Sequence, residues 1–271
     1  MEWIEDIEEK YIKTNGISLH TIVIGSGEPL VLLHGFPDFW FGWKKLIPLI
    51  KDRFQLIIPD MRGYNLSDKP EGVENYHIEL LIEDIRGLID HFGFKSVYLA
   101  GHDWGGVLSW FIAEKHPEKI KKLAIINAPH MKIFQDKLKN NEAQKKASSY
   151  ISRFIQPGSE KVILANNFQV LRPDLIEDGD KYLAAWSQPR AIVSGINYYR
   201  ANMDHEDWTG VIKIPTLVIH GMKDGAILPV VLDGLENYVE DLKIIRPDEL
   251  GHSAQKEDPQ MVASEFIEFF Q

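Results

Sequence analysis

Short, nearly uninterrupted apolar runs punctuate this chain: "LVLLHG" at 30–35, "QLIIPD" at 55–60, "VYLAGHD" at 97–103, "LAIINAP" at 123–129, "TLVIHG" at 216–221 and "LKIIRP" at 242–247. Gly, Pro or Asp bounds them, as expected of parallel strands buried on both faces. Between them, "NYHIELLIEDIRGLIDHFG" and "GVLSWFIAEKHPEKI" return apolar residues every three or four positions, the spacing of an amphipathic helix. Strands alternating with helices require crossover connections. The pattern therefore predicts an α/β chain built on a mostly parallel, doubly wound sheet.

One interval breaks the rhythm. From Pro129 to about Val211 no strand run occurs, and the text is helix-like, with aromatics and several Pro and Gly breaks. That is too long for a loop. The expected organisation is a first core part at 1–128, a helical insertion folded over the sheet at 129–212, and a second core part at 213–271. Within the insertion, "NNEAQKK" (140–146) reads as solvated surface.

Composition narrows the function classes. Of 271 residues 44% are hydrophobic, as in a soluble globular protein, and the formal net charge of -10 repels a phosphate backbone, so nucleic acid is not the expected partner. The absence of cysteine removes disulfides, thiolate metal sites and a cysteine nucleophile. The opening "MEWIEDIEEK" is acidic and broken by charges, unlike a signal peptide or a membrane span, so a cytoplasmic protein without membrane insertion is expected. Neither a metal nor a cofactor is called for.

Ligands of open α/β sheets bind beyond the carboxyl ends of the strands, so the residues closing each run carry the candidate chemistry. "VYLAG" ends in Gly101-His102-Asp103-Trp104-Gly105, the nucleophile-elbow pattern with Asp103 where serine is usual. Small residues belong there because a sharp strand-to-helix turn crowds any side chain. Asp103 reads equally well as the N-cap of the following helix. Its company favours chemistry: "TLVIHG" leads into Asp224, and "DELGHSAQKEDP" places His252 past the next run. The order Asp103, Asp224, His252 is the order in which this architecture lays out a nucleophile, an acid and a base. The rival acid position, after "LAIIN", holds Asn127, which cannot stabilise an imidazolium as a carboxylate does. In "LLHGFPDFWFGW" the Phe36 amide is placed to join that of Trp104 as an oxyanion hole, although "HGFP" alone is also an ordinary Gly-Pro turn.

In "HGFPDFWFGW", "PDMRGYNLSDKP", "GHDWGG", "HGMKDGAI" and "GHSAQKEDP", in that order, the chain resembles the α/β-hydrolase-fold epoxide hydrolases over almost its whole length. The resemblance implies an aspartate nucleophile under a helical cap and two cap tyrosines that hydrogen-bond the epoxide oxygen. "SSYISRFIQPG" and "INYYRANM" resemble the tyrosine-bearing stretches, which puts those roles on Tyr150 and on Tyr199 rather than Tyr198. It also implies a cis Phe36–Pro37 bond.

A carboxylate at the apex makes chemical sense for an epoxide. Serine attack would leave an ether that the enzyme could not hydrolyse, whereas aspartate leaves an ester that water can release, giving a vicinal diol. Seven Trp and thirteen Phe suit an apolar pocket, and the expected partners are a small apolar epoxide and water. Two other readings share these residues. Dehalogenases use the same nucleophile, and Trp104 would suit a halide, but the haloalkane enzymes usually carry Asn where this chain has Phe36, and the fluoroacetate type, which shares "HGFP", usually carries Arg where it has Trp104. A non-enzymatic receptor on this fold has often lost triad members, and none is missing here.

Overall fold

Two strands precede those marked by apolar runs. β1 (Glu8–Thr14) and β2 (Ile17–Ile24) form an antiparallel hairpin about Asn15 and Gly16. Both turn residues have positive φ, 45° and 78°, as a tight hairpin turn matched to strand twist requires. The remaining strands follow the runs: β3 (Glu28–Leu33), β4 (Phe54–Pro59), β5 (Val97–His102), β6 (Ile120–Ile126), β7 (Thr216–Ile219) and β8 (Leu242–Ile245). They form one eight-stranded sheet in the order β1-β2-β4-β3-β5-β6-β7-β8. Among the described residues, only the β1/β2 and β2/β4 pairings are antiparallel. The computed structural model describes residues 7–165, 168–169, 171, 178–203 and 210–271. Part of the acidic N-terminal stretch and parts of the expected insertion thus lie outside the described residues.

The core helices are α1 (Ile47–Ile50), α2 (Ile78–His91) and α3 (Trp104–Lys115). Next come α4 (Met131–Asn140), α5 (Glu142–Ala147), α6 (Ser149–Phe154), α7 (Glu160–Leu164), α8 (Gly179–Trp186) and α9 (Ala191–Asn202), and the chain closes with α10 (Ala254–Glu257) and α11 (Pro259–Phe270). Alternate strand residues feed two cores. Val31, Leu33, Ile57, Leu99 and Ile125 pack on one face with α2 and α3. Leu30, Leu32, Ile58, Ala124 and Leu217 pack on the other with α1 and α11. This double burial is why the runs are continuous rather than alternating. Each fully buried Leu or Ile contributes about 1.5–3 kcal/mol of transfer free energy.

Among the described residues, 131–202 carry helices and no strand. They are pinned to the sheet's carboxyl side. Asn202 donates to the carbonyl of Tyr76 and accepts from the Ile78 amide, each at 2.8 Å, and Trp186 Nε1 donates to the carbonyl of Pro37 at 2.7 Å. One expectation needs correcting. Gln144, inside the polar run 140–146, is fully buried. Its carboxamide donates to Ala226 O (2.9 Å) and Ser148 Oγ (2.7 Å) and accepts from the Leu228 amide (2.8 Å), so satisfied hydrogen bonds make burial tolerable.

Candidate active site

The turn after β5 holds Asp103 at φ 51°, ψ −122°, a conformation that non-glycine residues rarely adopt. It precedes α3 in the N-cap position, yet its side chain makes no capping hydrogen bond to the second or third amide of the helix. The carboxylate turns the other way. Its Oδ1 accepts the Phe36 backbone N–H at 2.8 Å, and the Trp104 backbone amide also hydrogen-bonds the group. Phe36 reaches it from the loop after β3, where the Phe36–Pro37 bond is cis.

Across from this carboxylate lies His252, with Nε2 3.5 Å from Asp103 Oδ2 and Nδ1 2.8 Å from Asp224 Oδ2. The loops after β7 and β8 meet because Gly221 has no side chain: a Cβ there would lie 2.1 Å from the Gly251 carbonyl oxygen. Asp224 is buried and fully hydrogen-bonded. Its Oδ1 accepts the Ala226 and Ile227 amides (2.9 and 3.0 Å), and its Oδ2 accepts Asn127 Nδ2 (2.8 Å) besides His252. Asn127 is thus a partner of the acid, a role the sequence did not suggest. His102 Nε2 donates to the His252 carbonyl at 2.9 Å, and burial draws its ring down to about 4, which keeps it neutral.

The electrostatics follow from this packing. Burial pushes both carboxyls up, but the hydrogen bond and charge of His252 outweigh it, leaving Asp103 below the usual carboxylate range and Asp224 at about 2. Burial pulls the His252 imidazole down, and the two carboxylates overcome that and raise it to about 10. In this state the imidazole is a cation between two anions.

A cavity opens over Asp103 and Trp104, with walls that include Met131, Phe134, Ile151 and Met203. Tyr150 from α6 and Tyr199 from α9 both line it, their rings 6.2 Å apart. Burial, with the nearby Asp103 charge, lifts both phenols well above their usual range, so they stay protonated donors. Tyr198, one residue earlier on the same helix, faces elsewhere: fully buried, it donates to the Arg62 carbonyl at 2.7 Å. Phe36 and Trp104 flank the Tyr199 ring at 5.9 and 5.0 Å. Every side chain singled out from the sequence is therefore in this one cluster.

The model of the α/β hydrolase fold family matches residues 28–259. Human epoxide hydrolase 4 is 31% identical over 93% of this chain and 75% of its own length. The chain belongs to the α/β-hydrolase-fold epoxide hydrolase family. The chain is also similar to the Bacillus subtilis AB hydrolase superfamily protein YfhM, 36% identical over 98% of this chain and 99% of its own. Among solved family members, Bacillus megaterium epoxide hydrolase in complex with an inhibitor superimposes with a TM-score of 0.90 at 35% identity, covering 96% of this chain and 99% of that one. A variant of the B. megaterium enzyme has been solved with its product, (R)-3-[1]naphthyloxy-propane-1,2-diol. Among the described residues no cluster of three or more His, Asp or Glu side chains is arranged to hold a metal ion, and no helix is long and apolar enough to cross a membrane.

Proposed function

We propose that this protein hydrolyses an apolar epoxide to a vicinal diol through a covalent ester on Asp103, with residues 129–212 as the cap. The observation that carries the reading is the Asp103 side chain, which makes no capping bond further into the helix and points between the Phe36 amide and His252, beneath two protonated phenols. In the first step a carboxylate oxygen attacks a ring carbon, and the carbon–oxygen bond breaks. Tyr150 and Tyr199 donate to the oxygen as its charge develops, and one phenolic proton completes the new hydroxyl. The alkyl ester has then replaced the carboxylate.

The second step depends on that lost charge. With Asp103 neutralised, one of the two anions that hold His252 protonated is gone, so the imidazole can release its proton toward the phenolate side. It then takes a proton from water while the hydroxide adds to the ester carbonyl. Phe36 and Trp104 amides stabilise the oxyanion, collapse breaks the bond to the alkoxide, and the proton of the resulting Asp103 carboxyl passes to that alkoxide, so the diol leaves and the carboxylate is restored beside a protonated His252. Asp224, supported by Asn127 and two backbone amides, compensates the imidazolium. The apolar walls, and the aryloxy diol bound by the B. megaterium relative, favour aryl or alkyl epoxides as substrates. The haloalkane enzymes' Asn is replaced by Phe36, which favours the epoxide over the dehalogenase reading, and the complete triad speaks against a receptor.

The deciding experiment is intact-mass analysis of a His252→Ala variant offered an epoxide, a haloalkane and an ester in turn. The expected result is a stable adduct with the mass of the epoxide on the peptide containing Asp103. Labelling by the haloalkane alone would reassign the reaction.

A further inference from the structure

Lys256 lies outside the residues that touch the cavity, yet it joins the two loops that must act on one carbonyl. It sits on α10, four residues after His252. That short helix is fastened to the histidine loop by Glu257, whose carboxylate accepts the Gly251 amide at 2.6 Å and the Ser253 amide at 3.0 Å, the residues on either side of His252. From α10 the Lys256 ammonium reaches Asp38 Oδ2 at 2.5 Å.

Asp38 closes and braces the turn that presents the Phe36 amide. Its own N–H donates to the Gly35 carbonyl at 2.9 Å, its Oδ1 accepts the Phe39 amide at 3.0 Å, and the side chain is buried. A third element joins them. Lys256 Nζ donates to the Tyr182 hydroxyl at 3.1 Å and stands 5.2 Å from the centre of that ring. Tyr182 belongs to α8, and one turn further along Trp186 holds the Pro37 carbonyl.

We propose that Lys256 is a positioning residue for the second half-reaction: through Asp38 and Tyr182 it fixes the spacing between the His252 imidazole and the Phe36 amide on opposite sides of Asp103. This rests on the ester mechanism proposed above. Ring opening uses the carboxylate and the two phenols, none of which Lys256 touches. Hydrolysis needs water delivered from one loop and an oxyanion bound by the other, so a drift between the loops falls on that step. A buried carboxylate paired to a partly exposed lysine is suited to this task, since Phe39 N–H holds one Asp38 oxygen and Lys256 the other, and separating the loops leaves a desolvated oxygen unpaired.

The test compares wild type, Lys256→Met, Lys256→Arg and the double variant Asp38→Asn/Lys256→Met of the full chain. Single turnover with styrene oxide is followed by rapid quench and intact mass, which times adduct formation and adduct loss separately. In K256M, adduct loss is expected to slow about tenfold or more with adduct formation within about threefold, the scale on which small misplacements act. K256R, which keeps the cation, should recover most of the rate. D38N/K256M strands no buried charge, so it keeps the measurement available if K256M folds poorly, and it should remain slow. Equal slowing of both steps, unchanged adduct loss, or recovery in the double variant overturns the inference. His252→Ala run alongside separates the two ideas. An adduct there with normal adduct loss in K256M removes the positioning role alone, and no adduct there removes the ester mechanism and this inference together.

Discussion

Asn127 donates its carboxamide N–H to Oδ2 of Asp224 across 2.8 Å, so of the two strand ends where a triad acid could stand, one holds the acid and the other holds its support. The same oxygen accepts from His252. Replacing Asn127 by leucine removes a hydrogen bond to a charged group, worth about 1.5–3 kcal/mol. The expected outcome is adduct loss slowed by about tenfold or more, with adduct formation little changed. Quenched single-turnover mass spectrometry measures both, and equal rates in variant and wild type would show that Asp224 needs no such help.

Tyr198 and Tyr199 are neighbours in α9 with opposite duties. Tyr199→Phe and Tyr150→Phe are each expected to slow ester formation by about a hundredfold, because each removes a proton donor from the developing alkoxide. Tyr198→Phe should leave that rate alone. It instead unpairs the buried Arg62 carbonyl, at about 1 kcal/mol of stability. Thermal melts and epoxide turnover, measured together, check the contrast. Loss of activity in Tyr198→Phe with normal stability would exchange the two roles.

The two half-reactions are expected to respond differently to pH. Asp103 titrates below the usual carboxylate range and both phenols well above theirs. Ester formation should therefore be flat between about pH 5 and 9. Adduct loss requires a neutral His252. Its pKa of about 10 in the free enzyme falls once esterification removes the Asp103 charge. Lowering the pH through that reduced value protonates the imidazole, so adduct loss slows and ester accumulates at acid pH, while raising the pH restores it. A histidine-like titration on ester formation instead would make His252 a base for the first step.

Oxygen bookkeeping tests the covalent step. In a single turnover with enzyme in excess in heavy-oxygen water, the diol should emerge unlabelled and the peptide carrying Asp103 should gain one heavy atom. Direct attack by activated water predicts the reverse, a labelled diol and an unlabelled peptide.

Much of this was readable because parallel strands buried on both faces leave continuous apolar text, and because the chemistry stands at strand ends that such text locates. β1 and β2 escaped because β1 is largely exposed and polar, even though Asn15-Gly16 carries the signal of a tight hairpin turn. Gln144 escaped for another reason: its partners are backbone atoms of Ala226 and Leu228, and a run of polar letters looks the same whether it meets water or a distant carbonyl. The Lys256–Asp38 pair and the Asn127–Asp224 bond likewise join residues far apart in the chain, and no local pattern encodes such a meeting.

A Cβ on Gly35 would lie 2.3 Å from the Cβ of Asp103, so the strand end and the reactive turn are in contact with no spare volume. For protein engineering this divides the molecule into a fixed half and a malleable one. Libraries that touch the sheet side of Asp103 are expected to yield mostly inactive clones. Diversity placed on Met131, Phe134, Ile151 and Met203, which line the opposite wall on helical supports, can reshape chiral preference and substrate size while leaving the reactive turn undisturbed.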